Sequence, residues 1–445
     1  MSDAFLIQNP YHQYAITFCQ LLAERGLRPI FFFTDPKERY YEARHLPAFA
    51  ELRPLASYEV EPSDLTGFAR RIKKRFGRVA GVIPYAEPTL ESTIELVREL
   101  EIPWNDPQVL SRFRDKAALK DEVTRVRPDL RVGRYIRVRS ARDLPEILPR
   151  PFIVKPNDGF GSRGVSVFAA GTRRAEIDAH LHARPGVTFL AEEYLTGTLY
   201  AVDGYVDVGS EVQVVSIFTS GRLRANGSEV AYGDGDLVHR DDRHFAALER
   251  YAQEVVKATG LVRSPFHMEV MVDGEGPCLI EVGARLIGHG HARTCGLPHG
   301  EGFDFFRVAA SGYVGEAAQG DLGLDPARYE RTEVRKVYGL AHTRETIYEL
   351  AGVSEIEALP AFRYWTSRPE VGAAIVPTVD LFTVPFSLVL SGSRGSVLAD
   401  EAGRVRELLR WNRRVSPGRR LRVEGRRLGQ RILRKAGWLL KRALG

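Results

Sequence analysis

Pro151 to Phe168 reads PFIVKPNDGFGSRGVSVF, and the fold of the chain turns on this stretch. Phe152, Ile153 and Val154 form a short apolar run, the pattern of a buried strand, with Lys155 at its end. A glycine-rich loop follows: Gly159, Gly161, Ser162, Arg163 and Gly164. Val165 to Phe168 then alternates apolar and polar, the period of a second strand. The letters Gly159-x-Gly161-x-x-Gly164 match the dinucleotide-binding fingerprint, but that motif needs a helix opening on its last glycine. Here a strand follows. A glycine-rich strand–loop–strand is a flap whose bare amides close over phosphates with no side chains in the way. Protein kinases use such a flap with a lysine on a later strand, whereas Lys155 precedes this one. A flexible hairpin beside a surface lysine has the same letters, so the rest of the chain must decide.

A length of 445 residues predicts about three domains of about 150 residues each. Hydrophobic content of 44% and charged content of 27% are those of a soluble globular protein. No apolar run is long enough to span a bilayer, and MSDAFLIQNP lacks a basic region ahead of an apolar core. Cys19, Cys278 and Cys295 are odd in number and widely spaced, which implies a reducing, cytoplasmic setting and no zinc cluster. Residues 404–445 hold 15 Lys/Arg against 2 Asp/Glu, a local +13 within a total of +6, so the first 403 residues carry −7. A mildly acidic body argues against nucleic-acid binding.

Residues 1–111 read as an open α/β domain, with strands at 4–8, 27–33 and 81–84 and helices at 11–25 and 89–100. Ligands in such sheets bind beyond the carboxyl ends of the strands, where Asn9, His12 and Glu87 lie. The same three residues are equally suited to capping helices or lining turns. Arg112 to Glu122 reads as one charged helix. Strands are expected at 130–138, 188–194, 200–208, 212–219 and 229–232, and helices at 141–148, 176–183, 244–259 and 301–311. Residues 266–282 are a hairpin turning at Asp273-Gly274-Glu275-Gly276. Residues 331–403 form a small α+β region. In 404–445, breaks at Pro417-Gly418, Gly425, Gly429 and Gly437 predict short basic amphipathic helices.

The hairpin sets Glu269 and Glu281 on neighbouring strands, each interrupting an apolar run. A carboxylate turned inward is costly unless paired or bound to metal, and two side by side repel unless a cation sits between them. Magnesium prefers few carboxylates plus phosphate oxygens. The alternative is two rim carboxylates paired with Arg263 and Arg285.

Lys155, the flap, an acidic strand end at Glu192-Glu193, Glu269 and Glu281-x-x-x-Arg285, in that order, resemble the ATP-grasp superfamily. Glu281-Val282-Gly283-Ala284-Arg285 looks most like the L-amino-acid ligase branch, whose members join carboxylates to amines. The resemblance covers about 1–400. It implies an open α/β domain, then a two-lobed ATP-grasp domain over 112–330 with its flap at 156–165, then a small C-terminal subdomain. It implies that Lys116 and Lys155 contact nucleotide phosphates and that the amides of Gly161, Ser162 and Gly164 cover them. Glu192, Glu193 and Leu195 become the hinge that reads adenine, mostly through backbone. Glu269 and Glu281 hold magnesium or manganese, and Arg285 steadies the charge that develops during transfer. Leu199 stands where many relatives have an acid for the ribose, Gly283 stands where many have asparagine, and Lys120 competes with Lys116 for the first lysine role.

The implied function is an ATP-dependent carboxylate–amine ligase forming an amide bond, such as a peptide bond, through an acyl phosphate. The alternatives are a ligase for a non-amino-acid carboxylate and a nucleotide-binding regulator without turnover. The loop Ile287-Gly288-His289-Gly290-His291-Ala292-Arg293 is expected to face the transferred group. His289, His291 and Arg293 then bind a substrate carboxylate or take the amine's proton, or else simply form a structural polar loop; the His-x-His pair with Cys295 and His299 nearby also suggests zinc, but its spacing fits no common ligand set. The basic tail either meets an anionic membrane surface or acidic partner, or is a solvated extension.

Overall fold

The computed structural model describes residues 4–10, 13–34, 52–144, 151–169, 171–288, 290–316, 322–412 and 415–428. Every residue of Ala4–Gln8 and all but the first of Arg28–Phe33 are buried, as strands covered on both faces require. These strands and Gly81–Ile83 run parallel, with Ala56–Glu59 added at the edge. That edge strand and the helix Leu65–Phe76 go beyond the sequence expectation. The helix buries Leu65, Phe68, Ala69 and Ile72, a regular helical stripe, but its five Lys and Arg residues dominate the letters.

The single charged helix expected over 112–122 is two helices, Pro107–Arg112 and Lys116–Val126. The break has a local cause. The Asp115 carboxylate accepts from the Ala118 amide at 2.8 Å and so starts a new helix.

Two antiparallel sheets follow. The first orders Tyr135–Val138, Phe189–Glu193, Phe152–Pro156 and Ser166–Phe168, so the flap is the hairpin between its last two strands. The second orders Val212–Thr219, Thr198–Val206, Ser264–Asp273 and Gly276–Gly283. Between residues 219 and 235 a small hairpin, Arg222–Ala225 with Ser228–Tyr232, leaves this second sheet. A fourth sheet orders Gly235–Asp236, Thr332–Tyr338, Ser387–Ser393 and Phe362–Ser367, so a strand from the middle of the chain joins the C-terminal region.

One hydrophobic core runs from Ala4 through the second sheet to Tyr329, without a gap at residue 111. Asn105 reinforces the junction: it donates to the Val262 carbonyl at 2.6 Å and accepts from the Val262 amide at 2.8 Å. Residue 404, the expected start of the tail, falls inside the helix Leu398–Leu408, which buries Ala402 and Val405. Residues 417–428 are one helix that passes through both Gly418 and Gly425, so those glycines do not break it. The remainder of the tail, from 429, lies outside the described residues.

Candidate active site

The acid hairpin places its carboxylates by register. Glu269 and Glu281 are direct partners across Ser264–Asp273 and Gly276–Gly283, so both project from one face of the sheet. Immediately beyond them the register slips, and Ile280 is the extra residue. Its carbonyl, released from the ladder, accepts from Lys155 Nζ at 3.4 Å. Glu269 pairs with Arg222 at 2.9 Å and Glu281 with Lys116 at 3.3 Å. The alternative partners are otherwise engaged: Arg285 pairs with Glu87, and Arg263 reaches the Trp104 carbonyl at 3.2 Å.

Facing this pair, Lys155 at the end of its strand is buried and 2.9 Å from Glu192. The second oxygen of Glu192 lies 2.9 Å from Lys120, which is also buried. Burial works against the charge on both lysines, with different outcomes. Lys155 has Glu192 and then Glu281 beside it and is held above the ordinary lysine value. Lys120 has chiefly Glu192, is repelled by Lys155, and is pulled below it. Burial likewise opposes ionisation of Glu281, but Lys116, Lys155 and Arg285 together hold its carboxyl well below the usual range.

The flap closes over this space. Gly161, Ser162 and Gly164 all have positive φ (62°, 59° and 79°), a left-handed run in which glycine is unstrained. A Cβ on Gly161 would meet the Phe382 ring at 2.7 Å. Phe382 also carries the Arg163 guanidinium 4.2 Å above its ring, so the C-terminal region holds the flap.

Lys116, Lys155, Gly161, Ser162, Glu192, Glu193, Leu195, Glu269 and Glu281 line one cavity of about 570 Å3. Ile153, Leu195, Met271 and Ile280 give one part of it an apolar wall, and Leu199 lines it as well. Gly164 stands off this wall, against Arg184. A second cavity of about 250 Å3 is lined by Tyr14, Tyr85, Glu87, Arg285, His291 and Lys336, among others. Glu269, Glu281, Gly161 and Tyr232 border both cavities. The two hollows therefore meet at the acid pair.

The predicted loop residues divide. His291 is buried at the second cavity, with Nε2 2.8 Å from the Tyr338 hydroxyl. Arg293 is exposed and stacks 5.1 Å over Tyr364, away from both cavities. His289 and His12 lie outside the described residues. Asn9 is buried and holds Thr34. Glu87 is buried between Arg285 and Arg114, and these two charges hold its carboxyl low against the effect of burial. His299 bonds backbone at both ring nitrogens, which removes it as a metal ligand. The sequence reading missed Arg222, although Asn226-Gly227 between alternating residues is a strong hairpin signal. No local signal marks Lys336 or Phe382.

Residues 148–293 match the ATP-grasp domain family. The chain carries an ATP-grasp domain. Dapdiamide A synthase of Enterobacter agglomerans is 29% identical over 144 residues, 31% of this chain and 34% of the synthase. An uncharacterised protein of Sinorhizobium fredii is 26% identical over 285 residues, 61% of this chain and 56% of that protein. The alignments thus span about a third and just over half of these curated relatives. An L-amino acid ligase from Bacillus licheniformis superposes with a TM-score of 0.72 at 18% identity, over 93% of this chain and 99% of that one. Phosphoribosylglycinamide synthetase from Anaerococcus prevotii gives 0.64 at 11% identity, over 93% and 100%. The fold of these two solved structures therefore extends over nearly the whole chain. Among the described residues no helix is long and apolar enough to cross a membrane.

Proposed function

We propose that this chain is an ATP- and magnesium-dependent carboxylate–amine ligase that forms an amide bond through an acyl phosphate and releases ADP and phosphate. The observation that carries the reading is the shared border: the larger cavity has the flap and Lys155, the smaller has Arg285, and Glu269 and Glu281 belong to both. A phosphoryl group held by the first cavity is then delivered into the second. The likeness to the L-amino acid ligase of Bacillus licheniformis supports amino acids as the reactants and a peptide bond as the amide.

The acid pair fits magnesium. Among the described residues no cluster of three or more His, Cys, Asp or Glu side chains offers a complete ligand set, and a pair of carboxylates would suit an ion that arrives with phosphate oxygens. Glu269 and Glu281 would hold the ion, which supplies charge neutralisation at the phosphates when bound. Lys116 and Lys155 neutralise phosphate oxygens from the floor, and the flap amides donate from above. The ribose has no acid at Leu199 to meet it. The hydroxyls of Thr196 and Thr198, which line the same cavity, are the polar groups we assign to it.

In the first step a substrate carboxylate oxygen attacks the γ-phosphorus, and the bond to the β-bridging oxygen breaks to release ADP. Arg285, fixed by Glu87, faces the charge that builds there. In the second step the neutral amine attacks the acyl carbon, a C–N bond forms, and phosphate leaves with the C–O electron pair and takes up the proton that the nitrogen sheds. The closed flap keeps water from the acyl phosphate.

Phosphate release measured over pairs of L-amino acids tests this, with hydroxylamine added to trap the acyl phosphate as a hydroxamate. Release stimulated by specific pairs is expected. Tight ATP binding with no stimulation by any carboxylate or amine would overturn it.

A further inference from the structure

Lys336 lies on the strand Thr332–Tyr338 of the fourth sheet, paired with Gly235 on one side and Val389 on the other. It is 4% exposed, yet it lines the smaller cavity. Among the described residues its ammonium has no hydrogen-bond or ion-pair partner, and its near neighbour is the Phe218 ring face at 3.8 Å. A ring face offsets only part of the hydration an ammonium loses on burial. Burial accordingly pulls its proton affinity down, and the Asp203 carboxylate, itself paired with His267, restores only part of it. The other cationic side chain lining this cavity, Arg285, is already paired with Glu87. Aromatic rings from Tyr14, Tyr85, Phe160, Tyr232, Tyr338 and Phe382 supply apolar wall to this cavity, beside the carboxylates of Glu87, Glu269 and Glu281.

Resting on the ligase reading, in which Arg285 and the acid pair face the reacting carboxylate, we propose that Lys336 seats a second, non-reacting carboxylate of a substrate. That group stays free through the reaction and supplies the counter-charge the buried ammonium lacks, while the aromatic walls hold the carbon skeleton. Two kinds of molecule carry it: an amine partner that is itself an α-amino acid, or a donor that is a dicarboxylic acid.

The test is calorimetric titration of the full chain loaded with Mg·ADP. One arm compares the twenty L-amino acids with their carboxamides. The other compares succinate, malate and glutarate with their monoamides. In one arm, at least one free acid is expected to bind tenfold or more tightly than its amide. Lys336→Met should remove that difference, and Lys336→Arg should keep part of it. Mg·ADP affinity, read in parallel, reports that each variant is folded. The arm that responds identifies the source of the carboxylate. The proposal is overturned if no free acid in either arm binds better than its amide, or if the preference survives in Lys336→Met. A protein that shows the preference but releases no phosphate with any pair loses the ligase reading and keeps Lys336 as a carboxylate seat.

Discussion

Glu192→Gln tests how the floor of the larger cavity is held together. Glu192 lies 2.9 Å from both Lys120 and Lys155, and no side chain of the three is more than 7% exposed. At an effective dielectric of about 20, each contact amounts to about 6 kcal/mol of gross attraction. Desolvation and repulsion between the two lysines cancel much of that. A further ceiling applies, because a stranded lysine can shed its proton, which at pH 7 costs about 4.6 kcal/mol from an ordinary value near 10.4. Removing the shared carboxylate should therefore destabilise the protein by about 3–5 kcal/mol at pH 7. The sign of the pH dependence follows from the lysines. Without Glu192 the folded proton affinity of Lys120 falls further below the unfolded value and that of Lys155, held above it until then, drops, so the penalty is full near neutral pH and recedes as pH rises. It should shrink by about 1.4 kcal/mol for each pH unit. In acid the two proteins converge for another reason. Despite burial, Lys120 and Lys155 hold the Glu192 carboxyl below its usual range, so its contribution is present above the unfolded carboxylate value and is lost as pH falls through the folded one. Urea unfolding followed by circular dichroism at pH 7 and pH 9 measures this. A loss under about 1 kcal/mol at pH 7, or one unchanged at pH 9, would refute the reasoning.

Glu281→Gln should lower stimulated phosphate release by about a thousandfold or more while far-ultraviolet circular dichroism stays unchanged, since the ion it would hold acts on the reacting phosphates. Retained activity in that variant would count against the metal assignment. Glu87→Gln frees Arg285 and should cut turnover by about tenfold to a hundredfold with little change in the KM for ATP, which steady-state kinetics separates. Gly161→Ala meets the Phe382 ring at 2.7 Å and takes up a strained positive φ, so ATP binding should weaken about tenfold by calorimetry. Phe382→Ala in the same background should recover the steric part of that loss.

Much of the site was legible because its parts are local in sequence. The flap needs glycines where φ turns positive, and the acid pair needs one hairpin register; both are short-range patterns. The strand over Val212–Thr219 and the turn at Asp273 to Gly276 match their expected limits for the same reason. What was missed is held by contacts across the fold. Glu87 meets Arg285 across 198 positions, and Lys336 reaches its cavity from the C-terminal sheet. Neither residue carries a neighbouring pattern that announces its partner. Gly418 and Gly425 misled in the opposite way. Glycine lowers helix propensity, but one glycine costs only about 1 kcal/mol, and contacts such as Arg419 with the Tyr348 carbonyl at 3.1 Å and Arg427 with the Thr346 hydroxyl at 2.7 Å offset it.

The unbroken apolar interior between the leading sheet and the acid hairpin bears on any attempt to work with a shortened protein. A fragment trimmed to 148–293 would expose the faces that Phe18, Leu96 and Trp104 now cover, and it would strand Arg285 without its carboxylate. The smallest piece worth expressing is therefore close to the full chain, and transplanting this site means moving its front module with it.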